Sequence, residues 1–382
     1  MAAIDLARYT EPMSIWEALI KGHVRLVKMS WIIKWSKAGK ILARRQDLPE
    51  EAFISVDELK ALYGDGNRDG VLPIIAISFC WLTPDHPDPE GKQLATIAAQ
   101  LERETEKYGK FFSEMGVFWD WPSLYQKDAE GKRSEAEQEG FRFALHETMD
   151  LWYAHQGTTV YMLTELPEGS ARKVGYSDSG WTTYERCSAE QIKKVYLYEA
   201  KWKLVLDLGK PDDEKQRNWP VGPDDFDSMI KTKKFTNGAD EAEVKKLFRK
   251  MSINQLGGIK MLDFTGIAAP SVEDAQRLGG CLNLCNHLEK LDLSSVGLSD
   301  DACKGMFSSL AIGAMANVTF LDLSVNQIGD NGMAAFAQAI KPTSEGGGGA
   351  MESLKELWVN DGHLEYPALK AACLTRGIKL LA

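Results

Sequence analysis

Four segments of this chain share one spacing, L-x-x-L-x-L followed by a further apolar residue, and this pattern constrains the fold more than any other feature. The segments run through Ile259, Leu262 and Phe264; Leu288, Leu291 and Leu293; Val318, Leu321 and Leu323; and Leu354, Leu357 and Val359. Ile267, Leu298, Ile328 and Leu364 are the closing apolar positions. The central residues Leu262, Leu291, Leu321 and Leu357 recur at intervals of 29, 30 and 36 residues. Alternating leucines predict a short strand whose apolar side faces inward. The stretches between them have helical spacing: over 300–310 the apolar positions are Ala302, Met306, Phe307 and Leu310. One strand–helix unit cannot bury its own face, so the units must stack. The longest interval contains a four-glycine run at 346–349, which predicts a flexible insertion in one loop.

Repeats of this length with full helices resemble leucine-rich repeats of the ribonuclease-inhibitor type, and the resemblance covers residues 259–382. Asn326 stands where such repeats carry their ladder asparagine. The resemblance implies a short α/β leucine-rich-repeat solenoid with a protein partner on its strand face. Asp263, Asp292, Asp322 and Trp358 lie between the two inward strand positions, so they project to that face. Three stacked aspartates make an acidic stripe, which serves partner binding or solubility equally well.

The 382 residues suggest two or three domains, and 44% hydrophobic residues supply a sizeable core. The net charge of −10 argues against nucleic acid or an anionic membrane as the main partner. Lys28, Lys34, Lys37, Lys40, Arg44 and Arg45 cluster locally and read as a solvated helix face. The longest mostly apolar run, 71–82, is too short to span a bilayer. The N-terminus has no signal-peptide core, and a cytoplasmic protein is expected. Six scattered cysteines without a C-x-x-C pair read as reduced, buried thiols. Cys281, Cys285 and His287 would need Cys303 at unusual spacing to hold zinc, so no metal is expected. Residues 65–70 imitate the start of a calcium loop, but its twelfth position is Ala76, and a Gly/Asn/Asp turn explains the segment better.

Residues 71–208 alternate strands with helices. Strands are predicted at 71–81, 116–119, 158–164 and 203–208, and helices at 92–110, at 135–155 and from Trp181 onward. Ser134 and Glu137 have capping-box spacing. Such alternation predicts a parallel sheet of flavodoxin-like order, with the first strand between the second and third. Ligands bind there where the loops after strands one and three diverge. That crevice would be lined by 78–88 and 176–185. Glu185 shares a helix face with Trp181, Ala189 and Ile192. An acid in an apolar stripe beside a crevice is a candidate functional group. Spacing alone favours a surface or first-turn glutamate stabilised by the helix dipole.

"IIAISFCWLT", "GVFWDW" and "YSDSGWTTYERC" resemble the first strand, second strand and third-helix start of Toll/interleukin-1-receptor domains. Ser78-Phe79 matches the S-F after the first strand of plant-type members, and Trp181 and Glu185 match the spacing of their S-x-W-C-x-x-E-L motif. Thr182 and Thr183 replace its Cys and a neighbouring residue, and Cys80 replaces the arginine after S-F. A fifth strand is missing unless 232–236 forms it. In NAD-cleaving members the glutamate is catalytic, so the resemblance assigns that role to Glu185. Ser78, Asp120 and Trp181 would then lie near the substrate, with NAD as substrate and no cofactor. Such domains also self-associate.

Residues 1–70 read as a helical N-terminal segment, and 209–258 as a connector with a helix near 240–250. No Walker loop, H-E-x-x-H, G-x-S-x-G or kinase signature is present. The leading reading is a recognition and signalling scaffold. The alternatives are a partner-gated NAD hydrolase using Glu185 and a GTPase regulator acting through the repeats, the latter without an exposed catalytic arginine to support it.

Overall fold

A computed structural model describes residues 4–66, 70–109, 112–197, 202–211 and 217–382. Its first sheet contains β1 (Leu26–Lys28), β2 (Phe53–Ile54), β3 (Ile74–Phe79), β4 (Gly116–Phe118), β5 (Thr159–Leu163) and β8 (Val205–Asp207). A small separate hairpin is formed by β6 (Tyr196–Leu197) and β7 (Trp202–Lys203). The sheet order is β2-β1-β4-β3-β5-β8, with β4, β3, β5 and β8 parallel. All six residues of β3 are buried, because apolar groups cover both faces of this central strand.

Residues 1–70 are not wholly helical. Gly22, at φ 72°, ends the helix Pro12–Ile20, and the chain then runs as β1 antiparallel to β4. Leu26 and Val27 are buried there, so the pair of apolar residues that suggested a continuing helix instead extends the sheet. The predicted helix at 135–155 is interrupted as well. It runs as Glu135–Phe143, a π-turn at Ala144–Thr148, and Met149–Ala154. Thr148 Oγ1 donates to the Ala144 carbonyl at 2.9 Å inside that turn. The buried Asp150 that follows is held by Arg8 at 2.7 Å and by the Tyr9 hydroxyl at 2.6 Å. Ser134 and Glu137 do form a capping box.

The 232–236 segment does not join the first sheet. Lys234 instead bridges Ser179: its N–H donates to Asp178 at 2.8 Å, and Gly180 N–H donates to its carbonyl at 2.9 Å. The possible calcium loop includes residues 67–69, which lie outside the described residues. Cys281, Cys285 and Cys303 are buried thiols, and His287 Nδ1 lies 2.7 Å from the Gly257 carbonyl. Among the described residues no helix is long and apolar enough to cross a membrane.

The second sheet is wholly parallel: β9 (Met261–Asp263), β10 (Lys290–Asp292), β11 (Phe320–Asp322), β12 (Glu356–Trp358) and β13 (Lys379–Leu381). Leu262, Leu291, Leu321, Leu357 and Leu380 stand in one register row. The first four are buried against the helices Val272–Leu282, Asp300–Ser308, Asp330–Ile340 and Pro367–Arg376. β13 was not read from the sequence, since "IKLL" at the C-terminal edge lacks the six-residue pattern. Asn326 is buried; its Oδ1 accepts from Val296 and Leu298 N–H, and its Nδ2 donates to the Leu293 and Leu323 carbonyls. It therefore satisfies the backbone of two successive turns.

Replacing Asn326 with Ala removes those partners and leaves buried backbone groups unpaired. Each such group costs about 1–3 kcal/mol. Asn326→Ala is therefore expected to destabilise the chain by at least about 2 kcal/mol in urea unfolding, and an unchanged midpoint would contradict this role.

Candidate functional site

β3 ends at Ser78-Phe79, and the helix Gly180–Ala189 starts beside that end. Gly180 is required at the start of the helix, because a Cβ there would lie 2.1 Å from the Phe235 ring. Ser78 is fully buried, and its hydroxyl donates to Glu185 Oε2 at 2.6 Å. The Tyr176 hydroxyl lies 2.6 Å from the same Ser78 oxygen. Glu185 as a residue is half-buried, with its carboxyl end turned inward onto the strand end. Tyr153, from the helix Met149–Ala154, donates to the Ile77 carbonyl at 3.2 Å and flanks the same carboxyl.

A second carboxyl group lies near enough for its charge to act on this one. Asp120 follows β4, accepts from Trp81 Nε1 at 2.7 Å and from Trp121 N–H at 2.6 Å. Burial pushes Asp120 up to about 6, against these two hydrogen bonds, which favour its charged form. Burial also pushes Glu185 up to about 8. The Ser78 hydroxyl opposes that rise, and the nearby Asp120 charge adds to it. Burial therefore favours the protonated form of Glu185 at neutral pH. Two carboxyl groups, Asp120 just after β4 and Glu185 on the helix Gly180–Ala189, form a constellation suited to acid–base or cation-stabilising chemistry.

The structure brings Ser78 and Asp120 to Glu185. It does not bring Trp181 there: that indole donates to Asp240 Oδ2 at 2.9 Å and packs edge-on against Tyr184. Trp181 thus ties the helix to the connector helix Asp240–Gly258. Asp88, expected to line the crevice, folds back and accepts from Leu94 N–H at 2.7 Å, capping the helix Lys92–Tyr108. Tyr153 was missed, and Trp81 was read only as part of the 78–88 lining. Both sit in apolar runs where an aromatic reads as core.

On the repeat sheet, the row Met261, Lys290, Phe320, Glu356 and Lys379 shares a face with the row Asp263, Asp292, Asp322, Trp358 and Leu381. Asp292 accepts from Ser294 N–H and Oγ, and Asp322 does the same with Ser324, so each aspartate also builds the turn after its strand. Asp263 accepts from Thr265 N–H and lies 3.8 Å from Lys194, with its side chain 6% exposed. The first member of the acidic stripe is thus covered by the other sheet's domain.

A family model described as Leucine Rich repeat matches residues 314–337, within the third unit and its helix. No curated protein matches the chain.

Because the folded pKa of Glu185 lies above its unfolded value, the folded protein holds the extra proton between about 4.5 and about 8. Stability from this group is then lost as pH rises through that window. Glu185→Gln is expected to stabilise the protein relative to the unaltered chain by an amount that grows from pH 5 to pH 8. A difference in unfolding midpoint that stays constant across those pH values would refute the buried, protonated carboxyl.

Proposed function

We propose that this chain is an intracellular recognition scaffold that binds a protein through its repeat sheet and associates with like domains through its first sheet. The observation that carries the first half is the outward row Met261, Lys290, Phe320, Glu356 and Lys379. It joins apolar, aromatic and charged side chains on one regular, helix-backed face. Proteins use such mixed faces for specific contacts, with aromatics as anchors and charges setting orientation. The match of residues 314–337 to a leucine-rich repeat supports the same reading. For the second half, the parallel strands run second-first-third-fourth, as in a flavodoxin-like sheet of the Toll/interleukin-1-receptor kind. The free, buried cysteines suit a reducing compartment.

Cross-linking of the captured partner is expected to map to Lys290 and Lys379. Phe320→Glu should weaken capture about tenfold or more while leaving the melting temperature unchanged. Cross-links confined to the outer helices, with Phe320→Glu binding as before, would move the contact off this face.

A second reading is favoured by the Ser78–Glu185 geometry: hydrolysis of the nicotinamide–ribose bond of NAD. The bond from ribose C1′ to the pyridinium nitrogen breaks, and its electron pair leaves with neutral nicotinamide. Water then adds to C1′ and releases a proton. The transition state carries positive charge on the ribose, which an ionised carboxylate stabilises. Glu185 is protonated at rest, and the incoming pyridinium cation favours its ionised form. Nicotinamide release should therefore rise with pH toward about 8 in kcat/KM and be abolished by Glu185→Ala. Release that is absent at high protein concentration with a crowding agent, or unaffected by Glu185→Ala, would leave only the scaffold.

A further inference from the structure

A cleft of about 380 Å³ opens where the two sheets meet. On the first side, Val71 leads into β3, Gly157 leads into β5 and Leu204 precedes β8. The cleft therefore lies at the amino ends of the parallel strands, whereas Ser78 and Glu185 meet at the carboxyl end of β3. On the second side, Ile259, Met261 and Asp263 come from the first repeat. The walls are apolar: Val71, Ile192, Leu204 and Ile259 are buried, Leu6 is half-buried, and Met261 is 46% exposed. Two charges of opposite sign also line the cleft. Asp263 Oδ1 accepts from Thr265 N–H at 3.0 Å, and its Oδ2 lies 3.8 Å from Lys194 Nζ. The Asp263 side chain is 6% exposed and that of Lys194 41%. At 3.8 Å the two charges attract each other without sharing a hydrogen bond. An ammonium has three N–H groups and a carboxylate about four acceptor positions, so this contact exhausts neither.

Small-molecule sites favour domain junctions and span about 300–1,000 Å³, so a cleft of this size suits a compact molecule. The apolar walls select its body, and the two charges select its head. An apolar carboxylate would meet Lys194 but be repelled by Asp263, and an apolar amine would meet the reverse. A zwitterion gives its carboxylate to Lys194 and its ammonium to Asp263, and it leaves neither charge without a partner. We propose that this cleft binds a free apolar α-amino acid of leucine to phenylalanine size. Its side chain packs among Val71, Ile192, Leu204 and Ile259, and its head lies against Lys194 and Asp263. Each sheet's side supplies one of the two charges and part of the wall, so the ligand bridges the junction. This site is separate from the repeat face and from Glu185, and it stands whether or not either proposed function does.

The test is calorimetric titration of the full chain with L-leucine and L-phenylalanine, and with the deaminated acid and the decarboxylated amine of each. At least one amino acid is expected to bind with a dissociation constant below about 1 mM. Its acid and its amine, which each carry one of the two charges, are expected to bind about tenfold more weakly or worse. Lys194→Met should weaken the amino acid about tenfold or more. Asp263→Asn keeps the acceptor for Thr265 N–H, loses the charge and should do the same. Lys194 is the more exposed of the two, so Lys194→Met carries the test if Asp263→Asn does not fold. No binding of either amino acid at about 10 mM overturns the proposal, as does binding that the variants leave within twofold of the unaltered chain. An acid or an amine that binds as tightly as its amino acid overturns the zwitterionic head.

Discussion

Glu190 and Arg217 are buried charges, and their placement fixes the rest of the architecture. Glu190 ends the helix that carries Glu185. Its side chain is 2% exposed and accepts from Asn218 N–H at 3.0 Å and Asn218 Nδ2 at 2.7 Å. Arg217 is buried beside it, donates to the Lys193 carbonyl and lies over the Phe264 ring of the first repeat. Two residues on, Trp219 stacks obliquely on Phe264 and donates to the Ala268 carbonyl at 2.9 Å. Lys193 puts its amino group among the carbonyls of His155 and Thr158, and burial pushes its pKa well down. Burying such groups costs several kcal/mol each unless their partners are in place. Sliding the repeats against the first sheet would strip those partners, so the arrangement locks the two sheets together.

The consequence reaches the candidate site. The helix Gly180–Ala189 meets β3 through Glu185 at its middle and meets Asn218, ahead of the first repeat, through Glu190 just beyond its end. Its first turn is pinned by Gly180 and Lys234, and Trp181 ties it to the connector. A ligand at the end of β3 would thus act on a short element that is also tied, through Glu190 and Asn218, to the segment packed on the first repeat. Coupling between the two sheets requires such a shared element.

The repeats were legible because their information is periodic. Leu262, Leu291, Leu321 and Leu357 specify the strands, and the register follows from identical spacing. β3 was legible because only a strand covered on both faces reads "IIAISF". The strands β1 and β2 were not, because two or three residues cannot display a period, and "HVRLVKMSW" satisfies helical spacing equally well. The π-turn at Ala144–Thr148 was not legible, and Asp150 just after it is held by Arg8 and Tyr9, which lie far from it in sequence. At the site, Ser78, Asp120 and Glu185 could be placed on strand ends and a helix start from their positions alone. Where Trp181 points could not, since its partner Asp240 lies far along the chain. The acidic stripe was read as a surface feature. Its turn-building role appears only once Ser294 and Ser324 are seen to fold onto the same carboxylates.

Scanning calorimetry of the whole chain tests the lock between the two sheets most directly. The charges buried around Glu190 and Arg217 predict one cooperative transition, with calorimetric and van't Hoff enthalpies in agreement. Two resolved transitions, one for each sheet, would mean that the domains unfold independently and that nothing rigid joins the repeats to Glu185.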